Sequence, residues 1–417
     1  MSVNLNSTAD INAVVNWVQT QGAGTVAPEV FYTKQLLDTI RLDAAQYAYY
    51  RYAEEMPIQE KADKLVVRRW APLRAHIVPL AEGVPPMSDK GSVEKYEIEA
   101  DQYGRYMEFT DKVDFKVVDP VIAHYSKEYS IVAVETLDLL AQHTMLTVSQ
   151  KFFAGAAANY SALRPWSKPS IADLRLIGLS LKKQLVKPRS NGKFHVLVSP
   201  EFTYDMLDDE YVQNYMKINQ TTAHMYDDEV LVPLFGFEFH EVMNCPTTCT
   251  YKKADGKYYA MTFKYLADGS NPTHNGATSP DGKTKIDYQE IEIPAESAAI
   301  AAGYETDSRT GQAASYIPAH TDYDAAARTM FAALQEHDAD AHLLQMQHTL
   351  VIGKDALVKT GIAGEGNAKM YVKPLGSTGV LDPIDQRQSI GFKINNVGFG
   401  STRTEAIVDY INVPTQL

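Results

Sequence analysis

Between Pro120 and Gly155 the chain carries neither proline nor glycine, and no other feature limits its possible folds so strongly. Asp119 is a good N-cap and Pro120 suits the first helical position, so a helix is expected from residue 119 to about 157. Roughly 37 residues at 1.5 Å each would span about 55 Å, long for a globular helix. Tyr125, Val132, Leu139, Leu146 and Phe153 recur every seventh residue, with Ile122, Tyr129 and Leu140 beside them. Glu128, Glu135, Gln142 and Ser149 recur at the same interval on another face. This periodicity describes a rod with one face packed and one face wetter. A coiled coil needs a second clean apolar row, which Thr136, His143 and Gln150 interrupt, so a helix lying across a sheet fits better.

The 417 residues, 45% of them hydrophobic, can fill two or three packed units. With 52 acidic against 39 basic residues the formal charge is -13. That balance argues against a dedicated nucleic-acid reader, which needs clustered Lys and Arg to neutralise phosphates. There is no run of about 18 apolar residues, so no membrane span is expected. The first residues lack a basic segment followed by an apolar core, so no signal peptide is expected either, and the expected compartment is a cytoplasm. Cys245 and Cys249 are the only cysteines, which excludes a disulfide framework and fits a reducing compartment. The 25 tyrosines suit interfaces and sheets alike.

Residues 1 to about 30 are polar and rich in Gly and Ala and read as an arm. A helical pattern follows over about 28–55, through Phe31, Leu36, Leu37, Ile40, Ala44 and Ala48. Its tyrosines, Tyr47, Tyr49, Tyr50 and Tyr52, suggest a partner surface. Residues 65–70 and 93–113 are extended, and a segment with Pro72, Pro79, Gly83, Pro85 and Pro86 joins them. This is the pattern of a long two-stranded ribbon. Such a ribbon is marginal alone in water, so it should rest on another subunit or domain. Ser170 and Asp173 open a capped helix, residues 194–198 form a buried strand, and 200 to about 216 give one or two helices. With a further strand over 235–242 the region reads as α/β or α+β. Asp255-Gly256 is a hairpin turn, residues 266–285 are loop-rich, and an exposed lobe extends to about Asp324. A helix is expected over 323–334. Strands are expected over 350–352, 370–372 and 389–413, the last broken at Asn395-Asn396.

His240, Cys245 and Cys249 offer zinc-type donors, but their spacing is loose and no fourth ligand stands near, so a strand end and turn is the simpler reading. His337, Asp338, Asp340 and His342, with His348 nearby, read as a polar helix end for the same reason. The stretch from Gly276 to Thr284 imitates a phosphate loop but lacks the flanking strand and helix. Asp208-Asp209-Glu210 and Asp227-Asp228-Glu229 read as solvated turns. No nucleophile elbow is present. No catalytic residue, cofactor or metal site is therefore expected. Arg68 and Arg69 beside Trp70 are better suited to ion pairs with a neighbouring subunit than to phosphate.

Several stretches in order resemble one family. They are Val67-Arg68-Arg69-Trp70-Ala71-Pro72-Leu73, Pro79-Leu80-Ala81-Glu82-Gly83-Val84 and Gln102-Tyr103-Gly104-Arg105-Tyr106 running to Thr110-Asp111. Further on come Leu350-Val351-Ile352-Gly353-Lys354-Asp355-Ala356 and Val372-Lys373-Pro374-Leu375-Gly376-Ser377. The last runs from Leu381-Asp382-Pro383 through Gln386-Arg387-Gln388 to Lys393. The set is similar to the major capsid proteins of tailed bacteriophages, in the branch of N-four-like phages, and covers most of the chain from about Phe31. The resemblance implies an α+β fold of the Hong Kong 97 type. Its parts would be an N-terminal arm (1–60), an extended β-ribbon loop (61–118), a peripheral domain with a long spine helix (119–165 and 369–417) and an axial domain (166–368). Residues 265–324 match no family motif and are expected to be an insertion on the outer face. Candidate assembly contacts are Arg68, Arg69, Trp70, Glu82, Arg105 and Arg387. Lys90 and Lys95 lie in the ribbon, but no motif carries the crosslinking of some relatives onto them. The implied function is an icosahedral phage head, a virion capsid that encloses double-stranded DNA, built from hexamers and pentamers of this chain and assembled in the host bacterial cytoplasm. Implied partners are further copies of itself, with scaffolding, portal and decoration proteins, DNA held only non-specifically and no membrane. The alternatives are an encapsulin-like nanocompartment shell and a soluble metal-dependent hydrolase.

Overall fold

The computed structural model describes residues 47–58, 64–71, 73, 75, 77, 79, 82–83, 88–110, 121–189, 192–218, 236–267, 270–294, 319–336, 338–362, 368–373 and 386–415. The expected arm, the first part of the 28–55 helix, Asp119, Pro120, the turn at Asp227, His337 and the motif over 374–385 lie outside them.

A 3-10 turn at Tyr49–Tyr52 leads directly into β1 (Glu54–Ile58), so the helix expected as far as residue 55 is replaced by strand. Then come β2 (Lys64–Trp70), β3 (Val93–Glu99), β4 (Asp101–Thr110), α1 (Val121–Val148) and β5 (Gln150–Phe153). They are followed by α2 (Ile171–Lys183), β6 (Phe194–Val198), α3 (Pro200–Leu207), α4 (Glu210–Ile218) and β7 (Phe237–Glu241). The second half is mostly strand: β8 (Thr247–Thr248), β9 (Thr250–Lys252), β10 (Tyr258–Tyr265), β11 (Asn275–Thr278) and β12 (Lys285–Ile293). After α5 (Ala319–Gln335) come β13 (His342–Leu343), β14 (Met346–Ile352), β15 (Val358–Ile362), β16 (Ala368–Lys373), β17 (Arg387–Gly400) and β18 (Ile407–Asn412).

The long helix lies across a sheet, but it ends at Val148 rather than near residue 157. Ser149 N–H still reaches the Met145 carbonyl at 2.9 Å. The chain then extends, and β5 pairs in parallel with β18. Pairing Phe152 and Phe153 into a sheet outweighs one more helical turn, so Gly155 is a poor stop marker. Of the seven-residue row, Tyr125, Val132, Leu146 and Phe153 pack against the cores but are only partly buried, and the fully buried row is a different one. Tyr129, Ala133, Leu137, Ala141 and Met145, spaced by four, are buried, whereas Leu139 is 47% exposed. Gln142, expected on the wetter face, is buried and donates to the Asn244 carbonyl at 2.9 Å. A straight helix drifts by about 20° per heptad, so a seven-residue row leaves the contact face within a few turns. By length and composition residues 124–148 are apolar enough to cross a membrane, contrary to the expectation from runs of apolar residues. In the fold, Tyr129, Ala133 and Leu137 cover Ile390, Phe392, Ile394 and Val397 of β17. Ala141 and Met145 enter a second core.

The sheet under α1 has the order β1-β15-β17-β16, with β4 also on β17. Asn395-Asn396 does not end β17. Asn396 takes φ +48° and the register against β4 shifts between Ile394 and Val397, so the pair makes a bulge in a continuous strand. A six-stranded sheet, β5-β18-β14-β6-β7 with β8 on β14, carries the largest core together with α2 and α3. The cap expected from sequence is present, since Ser170 Oγ accepts the Asp173 N–H. The third sheet, β11-β12-β10-β13 with β9 on β10, packs α5 through Ala326 and Ala327. β12 pairs along all of β10, Tyr258↔Ile293 to Tyr265↔Ile286. The described part of the segment 265–324 therefore completes a sheet whose other strands lie outside it, and is not a free-standing lobe.

Candidate assembly surface

β2 and β3 form a two-stranded antiparallel sheet, with Leu65↔Ile98, Val67↔Tyr96, Arg69↔Glu94 and Trp70↔Val93 in register. The ribbon is shorter than expected. Its second strand ends at Glu99, and residues 101–110 cross to pair with β17. The crossing is close: a Cβ on Gly398 would collide with the Glu99 carbonyl oxygen, and one on Gly400 with the Ile98 side chain. Glycine is used here because two backbones meet. Above this base little is buried. Trp70 is 73%, Leu73 67% and Ile77 91% exposed. These are large apolar side chains left in solvent.

The alternation of the strand separates the two arginines. Arg68 shares a face with Trp70 and stands opposite Lys95, a like-charge cross-strand pair that is unfavourable unless acidic groups approach. Among the described residues Arg68 has no ion-pair partner. Arg69 lies on the other face, with Nη1 3.4 Å from Glu405 of its own chain. Its described ion pair ties the ribbon base to the turn before β18. Glu82 is exposed at the ribbon tip. Arg105 and Arg387 are elsewhere, in the paired strands β4 and β17, where Arg387 Nη1 is 3.7 Å from Glu108. The six candidates therefore fall into a ribbon group and a long-sheet group. A third apolar surface follows α2, where Leu176 and Leu179 are exposed beside Arg175, Lys182 and Phe237 around a groove of 580 Å³.

Three polar clusters among the described residues join partners that the sequence does not bring together, although His240 and His348 are among its candidates. Asp138, fully buried on α1, accepts the Tyr50 N–H at 3.0 Å and the Asn244 amide. Burial holds its carboxyl above the usual range despite those donors. His348 Nδ1 lies 2.9 Å from Asp409 Oδ2, and its Nε2 lies 3.0 Å from Thr248 Oγ1. This is the order of a hydrolytic relay, but His348 and Asp409 are buried and the three residues sit on neighbouring strands β14, β18 and β8. The network ties three strands of one sheet together. The third cluster joins His195 of β6 to Glu238 and His240 of β7, with donor atoms all within 4.8 Å of one another. The two imidazoles stack at 4.7 Å, and burial lowers the pKa of both. Sequence carries one signal for it: in Phe237-Glu238-Phe239-His240 the polar residues alternate with buried phenylalanines, so they share a face.

Among the described residues the groupings considered from sequence do not form. Cys245 bonds the His348 carbonyl and Cys249 the Asp324 carboxylate, and burial pushes both thiols up to about 12. Such thiols are poor ligands and poor nucleophiles. Asp338 and Asp340 pair with Lys264, while His342 stacks on Phe263.

No protein-family model and no curated protein matches the sequence. Solved structures do match the fold. The capsid of Ralstonia phage GP4 aligns with a TM-score of 0.54 at 9% identity, over 94% of this chain and 98% of that one. The capsid of the cyanophage P-SCSP1u aligns with a TM-score of 0.53 at 11% identity, over 92% and 93%. The mature capsid of bacteriophage PhiM1 aligns with a TM-score of 0.52 at 12% identity, over 93% of each chain. The architecture is thus α+β with a projecting ribbon and a long helix on a sheet, and in particular it is the Hong Kong 97 type capsid fold.

Proposed function

We propose that this chain is a major capsid protein that self-assembles into the icosahedral head of a tailed phage. The observation that carries the reading is the ribbon: two strands that, among the described residues, pair only with each other, with Trp70 at the end of the first and Leu73 and Ile77 beyond it in solvent. A surface of that kind is completed by another copy of the subunit. Likeness to capsid subunits over nine-tenths of the chain supports the same conclusion. In this reading the peripheral unit is α1 with the long sheet, including β15. The axial unit is the six-stranded sheet, including β5 and β18, so both units exchange strands across the boundaries expected from sequence. Arg68 and Trp70 face a neighbour directly, Glu82 lies at the tip contact, and Arg105 and Arg387 meet what the ribbon lies on. Arg69 fixes the ribbon base. The subunit is made and assembled in the host bacterium, with scaffolding and portal proteins supplied separately. The charge of -13 suits a container that does not grip its DNA.

Electron microscopy of the purified protein, alone and co-expressed with the phage's scaffolding protein, tests the proposal. Closed shells are expected. A monodisperse monomer under every condition would overturn it. A nanocompartment would use the same contacts, and DNA-filled particles from infected cells exclude that reading.

A further inference from the structure

We propose that His195, Glu238 and His240 bind a divalent transition-metal ion, zinc being the natural occupant, which staples the edge strand β7 to β6 beneath Tyr52. The backbone already makes the site. β6 and β7 run parallel with His195↔Glu238 and Leu197↔His240 in register, so the parity of the strands puts all three side chains on one face. The His240 Nε2 to Glu238 Oε1 distance is 3.6 Å. A tetrahedral zinc with ligands at about 2.0–2.1 Å separates its donors by about 3.4 Å, so this edge of the tetrahedron is nearly formed. All three donors lie within 4.8 Å of one another.

Two atoms ask for a partner. Glu238 Oε2 and His240 Nε2 are buried and have no hydrogen bond. Buried polar atoms are normally satisfied; an ion bound by His240 Nε2 and by Glu238, once the carboxylate turns to present Oε2 in place of Oε1, satisfies both. Two imidazoles and one carboxylate are the donors of a three-ligand zinc site with a fourth position for water. They suit zinc, cobalt or nickel better than magnesium or calcium, which prefer all-oxygen shells. Tyr52 caps the cluster, its ring 5.7 Å from His195 and 5.8 Å from His240. Arg189 is a nearby cation that opposes metal binding. It is held over the Tyr52 ring by its bond to the Tyr52 carbonyl at 2.6 Å, and the Glu238 carboxylate offsets its charge. The ion would tie the edge strand β7 to β6, with the Tyr52 ring of the segment entering from the N-terminal side packed over both imidazoles. This assignment concerns the folded subunit and stands or falls independently of shell assembly.

The test uses the full-length chain, stripped with a chelator and titrated with Zn²⁺, Co²⁺ and Mg²⁺ in calorimetry and equilibrium dialysis. One equivalent of Zn²⁺ per chain is expected, with a rise in Tm and no response to Mg²⁺. Co²⁺ should give the intense visible bands of a tetrahedral nitrogen and oxygen site. His240→Ala and the shape-conserving Glu238→Gln should each weaken Zn²⁺ binding by at least about 10–100-fold, the loss that removing even an outer-shell partner of a ligand causes. His274→Ala, outside the cluster, should bind as the unmodified chain does. Wild-type protein that takes up no Zn²⁺, or that shows an octahedral Co²⁺ spectrum, overturns the proposal without reference to any variant. So does unchanged affinity in Glu238→Gln, which would mean an adventitious ion on another histidine.

Discussion

β2 and β14 are both seven-residue strands rich in apolar side chains, yet every residue of β14 is buried and none of β2 is. The difference lies in neighbours. β14 is flanked by β18, β6 and β8, whereas β2 has β3 alone. Fixing one residue's backbone costs about 1–2 kcal/mol, and a buried apolar side chain returns about 1.5–3 kcal/mol. In the seven-residue strands β2 and β3 only Ile98 is buried, so burial within this chain does not offset ordering them. The strand sequence alone does not separate the two cases; what packs on the strand does. The most severe way to break the comparison is to delete residues 82–90 at the ribbon tip. Shells should disappear in electron microscopy while the subunit stays soluble, with Tm within about 2 °C of wild type, because surface changes away from the core rarely exceed about 0.5 kcal/mol. Normal shells would show that the ribbon carries no assembly contact.

The opposite outcome is expected in the sheet. Tyr410 on β18 is fully buried, and its hydroxyl donates to Asp173 Oδ2 at 2.9 Å and accepts the Ser170 N–H. Tyr410→Ala removes a ring from the core and leaves a buried carboxylate with one partner fewer. A loss of about 4 kcal/mol in urea unfolding is expected. A value under about 1 kcal/mol would mean that this sheet is as loosely held as the ribbon.

How much of this is legible in the sequence depends on whether the deciding partner is local. The Ser170 cap and the Asp255-Gly256 turn are set by neighbours a few residues away, and each is present as expected. The strand at Phe194–Val198 is present too, its largely apolar run marking burial although its partners β7 and β14 are distant in sequence. The family motifs lead to the fold, and the ribbon is legible in its alternation. The end of α1, the share of the 93–113 run that belongs to β17, and the bulge at Asn396 depend on strands up to some 290 residues away. Periodicity has no access to those. The same holds for the polar clusters: nothing near Asp138 announces Tyr50 and Asn244, and His195 meets Glu238 only because β6 and β7 pair.

A smaller effect is expected where the two regions join. At Gly398 an added Cβ meets backbone, which cannot rotate away. Gly398→Ala should cost about 1–3 kcal/mol by overpacking. It should also displace β3 from β17, raising hydrogen exchange at residues 96–99 with little change in β14. Equal exchange increases in both would show that ribbon and sheet are one cooperative unit.

The smallest effect tests Asp138, which links the Tyr49–Tyr52 turn to α1. Its carboxyl is raised above the ordinary 3.8 chiefly by burial. A carboxyl whose folded pKa exceeds its unfolded one favours the folded state most below the unfolded value, and that advantage is lost as pH rises through the folded value. Asp138→Asn removes this titration. The replacement keeps an acceptor for the Tyr50 N–H, and Asn244 can turn its amide so that Oδ1, now buried without a partner, accepts from the introduced side-chain amide. Measured by urea unfolding, wild type minus variant should therefore fall as pH goes from below 3.8 toward neutrality, then level off. A difference that rises with pH would mean that the donors around Asp138 outweigh its burial, and that the turn is held by a charge instead of despite one.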